Sequence, residues 1–262
     1  MSSQQESTIR ALMVALIVCL VCSVFVAGAA VALKPVQLEN RLLDKQRSIL
    51  AIAGLAEANM SAKAVKALYA ERIQARVVDL QTGQFTDAQD ATLFDPLQAA
   101  KDPVLSDALK AEQDIASIKR RERYSTVYLV EQDGQLQTLI MPIRGYGLWS
   151  TLYGFMAVKG DLNTVVGLGF YQHGETPGLG GEVDNPKWKA LWHGKTLFDS
   201  NGELAVGIIK GSVDPAAANA QHQVDGLAGA TLTSKGVDNL LHFWLGENGF
   251  GPFLVKLQKG EA

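Results

Sequence analysis

A threonine that is to carry a phosphate ester needs its hydroxyl on an open turn, in a field that favours negative charge. The segment Asp225-Gly226-Leu227-Ala228-Gly229-Ala230-Thr231-Leu232-Thr233-Ser234 offers both. Its two glycines and two alanines let the backbone approach a ligand closely, because no bulky Cβ substituent intervenes. An amphipathic helix follows at once. Val237, Leu240, Leu241, Trp244 and Leu245 make one apolar face at helical spacing, and Gly246 ends it. A phosphate on Thr231 would lie near the free N–H groups and positive end of that helix. Thr233 or Ser234 is predicted to cap it. The same residues also read as a plain tight loop feeding a capped helix, and spacing alone does not choose between the two.

Two further segments have chemical character. Tyr171 to Gly181 (YQHGETPGLGG) puts a Glu-Thr pair before a run of turn formers. Gly145 to Gly154 (GYGLWSTLYG) carries Trp149, whose ring is either a core side chain or a stacking surface for a planar ligand. The four histidines, at 173, 193, 222 and 242, show no metal-ligating spacing, so no metal site is expected. No G-x-G-x-x-G stands between a strand and a helix, so the chain is not expected to bind NADH itself.

The run Asp225 to Thr233 resembles the flavinylation motif D-G-x-[ST]-G-A-T-x-[ST] of the FMN-binding domain family. In that family a flavin transferase moves the FMN half of FAD onto the last threonine of G-A-T, which here is Thr231. Ala228 departs from the motif, standing where Ser or Thr is usual. Besides Thr231, the match takes in Asp225, Gly226, Gly229, Ala230 and Thr233. The segment from His173 is similar to the family's H-x-E-T-P-G-L-G loop. By resemblance Glu175 and Thr176 would meet the polar edge of the isoalloxazine, and Leu179 and Gly180 its face. Leu148 and Trp149 would line the flavin pocket. Lys210 would sit near the ring, where a cation stabilises the charge that builds on reduction.

The stretch from Lys34-Pro35 to Leu55 is similar to the post-membrane segment of the C subunits of sodium-translocating NADH:quinone reductases. What that resemblance implies is an electron-relay subunit with covalent FMN. It would work with other subunits of a membrane complex that oxidises NADH, reduces ubiquinone and pumps Na+. The inner membrane would hold it, with the soluble domain in the periplasm. A G-type subunit of an Rnf-like complex and a membrane-tethered, non-redox ligand-binding domain are the alternatives.

The elements that must position these residues are predicted as an α+β arrangement: one N-terminal transmembrane helix, then a soluble domain with an antiparallel sheet and flanking helices. We expect a tail over 1–10, the membrane helix over 11–33, a helical stalk over 34–123 and the FMN-binding domain over 124–262. Helices are predicted from Pro35 to a stop at Gly54, from Met60 to Val77 with Ser61 as N-cap, and over Ser106–Arg123, with 82–104 as loop. Strands are predicted at Tyr124–Val130 and Leu136–Ile143, joined by a hairpin turn at Asp133-Gly134. Further strands are expected at Gly154–Val158, Val165–Tyr171 and Leu204–Ile209, and a short helix over Pro186–Trp192 capped by Asn185.

From Ala11 to Leu33 the chain has no charged residue. Such a run spans roughly 35 Å as a helix, enough for a hydrocarbon core of about 30 Å. It is longer than the apolar region of a cleaved signal peptide, the competing reading, although small-residue cleavage sites lie at its end. Positive charge points the large domain inward, since Arg10 precedes the segment while Lys34, Arg41, Lys45 and Arg47 follow it. The family resemblance points it outward. Cys19 and Cys22 lie inside the apolar run, where cysteine behaves as a small hydrophobe. A net charge of -3 gives no basic field for nucleic acid.

Overall fold

The structure, a computed structural model, describes residues 2–56 and 59–262. The chain divides into two compact units, residues 1–44 and 45–262. Helix α1, Ser2–Ile52, supplies nearly all of the first and opens the second. It is long and apolar enough to cross a membrane, with a mean hydropathy of 2.8 in its apolar stretch. Its large apolar side chains from Ile9 to Leu33 are exposed, consistent with a single-pass membrane anchor. The helix continues through Pro35, which gives the ladder no N–H. It stops before Gly54, where φ is 71° and the Leu55 N–H closes back onto the Leu50 carbonyl.

In chain order the second unit continues with α2 (Ala62–Arg72), β1 (Gln74–Asp79), β2 (Gln84–Phe85), α3 (Pro96–Ala99), β3 (Ser106–Ala108) and β4 (Arg120–Glu122). The strands β5 (Tyr124–Gln132), β6 (Gln135–Tyr146), β7 (Thr151–Lys159) and β8 (Val165–Gln172) follow. Then come α4 (Pro186–Ala190), β9 (Gly207–Ile209), β10 (Gln223–Asp225), α5 (Thr231–Leu245) and α6 (Gly251–Lys259). Six strands make one antiparallel sheet in the order β2-β1-β5-β6-β7-β8. Two small ladders stand apart from it, β3 with β4 antiparallel and β9 with β10 parallel.

Side chains alternate across the sheet, and each set has its own cover. Val127, Leu129, Leu139, Met141, Ile143, Leu152 and Met156 form one core with Val237, Leu240, Leu241 and Trp244 of α5. Each such side chain contributes about 1.5–3 kcal/mol when fully buried. Tyr128, Ile140 and Phe155 are buried outside that core, as are Ile49 and Leu50. The end of β6 is pinned further. Arg144 pairs with Glu122 at 2.6 Å, both buried, and the Trp244 indole N–H donates to the Arg144 carbonyl at 2.6 Å.

The β5–β6 hairpin turns at Asp133 (φ 52°) and Gly134 (φ 73°), the pair of positive φ angles that its Asp-Gly dipeptide predicts. Ser61 caps α2 and Asn185 caps α4, as expected. Other expectations are corrected. The helix predicted over Met60–Val77 ends at Arg72, because Gln74–Asp79 pair residue for residue with β5. The helix predicted over Ser106–Arg123 is absent. There, the Asp114 carboxylate takes the N–H groups of Ile118 and Lys119, at 2.7 and 2.8 Å, in competition with a helical ladder. The chain on either side of that turn pairs as β3 and β4. The loop predicted over 82–104 contains β2 and the single turn α3, and the strand predicted over Leu204–Ile209 is shorter, Gly207–Ile209. Helix α6, which buries its apolar pair Phe253 and Leu254 in the core, is not among the predicted helices.

Candidate functional site

Two loops and a helix meet at one carboxylate. Glu175, 5 % exposed, lies beyond the end of β8. Its Oε1 accepts from the backbone N–H groups of Leu148 (3.1 Å), Trp149 (3.0 Å) and Ser150 (3.3 Å), all in the β6–β7 loop. Its Oε2 accepts from the Thr233 hydroxyl of α5 at 2.7 Å. Burial alone would raise the carboxyl's pKa. The Thr233 hydroxyl and the N–H groups of Trp149, Leu148 and Ser150 outweigh burial and hold it below the ordinary value. The resemblance implies Glu175 at the polar edge of the isoalloxazine; in the structure both of its oxygens accept bonds from within the protein, tying the β6–β7 loop to α5.

The fit leaves no room for a larger neighbour. A Cβ at Gly147 would lie 2.6 Å from Glu175 Oε1, and one at Gly180 would lie 2.7 Å from Oε2 and 2.5 Å from Thr233 Oγ1. Gly180 is therefore the residue that lets the 176–181 turn close over the carboxylate. That turn is knit by the Thr176 carbonyl, which accepts from the N–H groups of Leu179 and Gly181.

The turn before α5 is held from both sides. The Asp225 carboxylate accepts from the Val213 N–H and its carbonyl accepts from the Trp188 indole, both at 2.9 Å. The Gly226 N–H donates to the Gly211 carbonyl, and the Leu227 N–H to the Ser234 hydroxyl at 2.9 Å. Gly229 has φ 71°, a left-handed conformation that favours glycine. Ala230 is buried and Thr231 emerges exposed as the first residue of α5. Thr233 and Ser234 do not cap the helix as predicted. Ala230 occupies the cap position and no side chain bonds to it, because those two hydroxyls serve Glu175 and Leu227.

Around this turn, large apolar side chains face out: Leu148 (38 % exposed), Trp149 (66 %), Leu179 (46 %) and Leu232 (60 %). Leu179 Cδ2 lies 3.2 Å from where a Cβ on Gly229 would be, so the 176–181 turn touches the turn before Thr231. Thr176 is exposed as well. Lys210 is exposed just after β9 and makes no ion pair among the described residues. Its place opposite Asp225-Gly226 follows from the β9–β10 register, which pairs Ile209 with Asp225.

Sequence reasoning gave Trp188, Gly147 and Gly236 no part in this frame, and took Ser234 only as a helix cap and His173 only as a member of the matched loop. Gly236 left a legible signal, a glycine inside an otherwise apolar helical pattern. A Cβ there would lie 2.5 Å from the Tyr146 carbonyl, so the gap lets α5 reach the end of β6.

Comparison with known proteins bears directly on this arrangement. The chain is 78 % identical to the C subunit of the Na(+)-translocating NADH-quinone reductase of Pseudomonas aeruginosa, over 99 % of this chain and 100 % of that one. It belongs to the family of C subunits of Na+-translocating NADH-quinone reductases. The corresponding C subunit of Yersinia pestis is 54 % identical, over 97 % of this chain and 95 % of that one. Among solved structures, Shewanella oneidensis NqrC matches with a TM-score of 0.74 and 36 % identity, over 82 % of this chain and 97 % of that one. The C subunit from Parabacteroides distasonis matches with a TM-score of 0.65 and 32 % identity, over 85 % and 96 %.

As a member of this family the chain is a subunit of the reductase. Residues 147–246 match the model of the FMN-binding domain family, so the cofactor is FMN. That span contains the converging loops, Lys210, and the whole turn before α5. The residues present suit such a group: a glycine-shaped turn, an uncapped helix start and exposed apolar surface beside it.

Proposed function

We propose that Thr231 carries FMN as a phosphoester and that the chain relays electrons through it within the reductase. The observation that carries this reading is the exposed Thr231 hydroxyl at the first position of a 15-residue helix without a side-chain cap. The first N–H groups of such a helix have no intrahelical partner, and they and the helix dipole favour a phosphate. Attachment is a group transfer from FAD, catalysed by a flavin transferase. A bond forms between the Thr231 oxygen and the FMN phosphorus, the pyrophosphate bond breaks, AMP leaves and the hydroxyl proton is released.

Bound FMN supplies the electron relay, and the chain's residues supply its surroundings. Leu148, Trp149 and Leu179 offer apolar surface that excludes water from a planar ring. Glu175, through Thr233 and the 148–150 backbone, fixes the loops that carry them. Lys210 offers a cation that favours the reduced, negatively charged form. Thr176, Asp225, Gly226, Gly229, Ala230 and Gly180 shape the turns. NADH oxidation, ubiquinone reduction and Na+ movement belong to the complex as a whole, with NADH bound on another subunit. The anchor α1 lies in the inner membrane, with residues 124–262 as the FMN-binding domain in the periplasm.

Intact mass after co-expression with a flavin transferase tests the ester. The wild-type chain gains FMN less water, about 438 Da, and Thr231→Ala gains nothing. An adduct on the Ala variant, or one mapped to Thr233, overturns the assignment.

A further inference from the structure

We propose that His173 is a positioning residue of this site: fixed in one tautomer by Asp184, it accepts the Glu175 N–H and so sets the Glu175 carboxylate between the β6–β7 loop and α5. The proposal rests on the reading of these loops as the flavin site. His173 Nε2 lies 2.8 Å from Asp184 Oδ2, and the other oxygen of Asp184 pairs with Lys189 Nζ at 3.2 Å. An ionised carboxylate only accepts, so the ring hydrogen is on Nε2. A neutral ring then presents a lone pair at Nδ1, and the Glu175 N–H meets it at 3.2 Å. The His173 side chain is only 13 % exposed, so water is a poor substitute partner. The intervening Gly174 N–H donates to Ser150 Oγ at 2.6 Å. Two successive N–H groups before the carboxylate are thereby held by side chains, one from His173 and one from the β6–β7 loop.

The arrangement is specific to the neutral ring. A proton on Nδ1 would oppose the Glu175 N–H donor to donor and remove that bond. The charged groups about the ring are Asp184, Lys189 of α4, and Glu175 itself. Position, rather than chemistry on the ligand, is what His173 contributes, and its loss would be felt at Leu148, Trp149 and Thr233 through the one carboxylate.

Amide hydrogen exchange on the full-length chain, read in peptides covering 147–152 and 174–181, tests this, with intact mass reporting the Thr231 adduct separately. His173→Asn puts its Oδ1 near the Nδ1 position and can accept the N–H two residues on, as asparagine does in Asx turns. It should keep exchange within about twofold of wild type. His173→Gln extends toward Asp184 and leaves the Glu175 N–H unpaired, so exchange at Glu175 and at 148–150 should rise about tenfold, the equivalent of one ordinary hydrogen bond. Exchange unchanged in His173→Gln, or equal loss in both variants, overturns the proposal. An adduct missing from the wild-type chain would instead overturn the Thr231 assignment, and the exchange result would stand.

Discussion

Thr233 and Glu175, 58 positions apart in the chain, share a 2.7 Å hydrogen bond in the interior. Thr233 is fully buried, whereas Thr231, two residues earlier on the same helix, is exposed. The two threonines of the motif are thus separated by burial into one that holds the site and one that is free to be modified. Thr233→Val keeps the shape and removes the donor, leaving Glu175 Oε2 without its partner. Urea unfolding should show a loss of about 2 kcal/mol, the range for a hydrogen bond to a charged group. The mass adduct should remain on Thr231, and an unchanged midpoint would mean the bond contributes nothing.

Glu175 also makes the site sensitive to acid. Its carboxyl is held below the ordinary value of 4.5, so the stability it contributes is fully present above that pH. It is lost as pH falls through the lower, folded-state value. Unfolding free energy measured from pH 6 downward should therefore decline as Glu175 takes up a proton, and Glu175→Gln should show a shallower decline from a lower starting value. Identical slopes in the two proteins would mean that other carboxylates govern acid unfolding.

Gly180 should not tolerate even one methyl group. Gly180→Ala would press a Cβ to 2.7 Å from Glu175 Oε2 and 2.5 Å from Thr233 Oγ1, forcing that bond apart. A cost of about 1–3 kcal/mol is expected, as for overpacking elsewhere in a folded interior. Thermal unfolding checks this, and a midpoint equal to that of the wild type would mean that the turn relaxes around the added methyl.

The helix α1 makes a prediction about where the chain resides. The mature protein should keep its first residues and fractionate with membranes. Protease added to intact spheroplasts should digest the domain after α1. Digestion only after lysis would place the domain on the other side, where the positions of Lys and Arg point.

The parts of the fold that were legible in the sequence are those fixed by local chemistry. The Asp133-Gly134 turn, the Asn185 and Ser61 caps, and the apolar face of α5 each depend on residues close together in the chain. Ser106–Arg123 misled because its charges suit a helix, while the deciding bonds run from the N–H groups of Ile118 and Lys119 to Asp114 and from β3 to β4. At the site, the turn before Thr231 was legible as a motif. The roles of Thr233, Ser234 and Glu175 were not, because a hydroxyl that could cap a helix end and one that bonds a distant carboxylate look the same in a sequence.

Long-range pairing has a consequence for timing. The bonds that frame the site and pin the end of β6 beside it join residues 58 positions apart at Glu175 and Thr233, and 100 apart at Arg144 and Trp244. Contacts of such sequence separation close late, after the local hairpins and helices exist. A chain still missing its last forty or so residues can hold the β5–β6 hairpin yet has no α5 on which to present Thr231. Modification would then follow folding rather than accompany synthesis, and the folded domain, not the nascent chain, is what a modifying enzyme would meet.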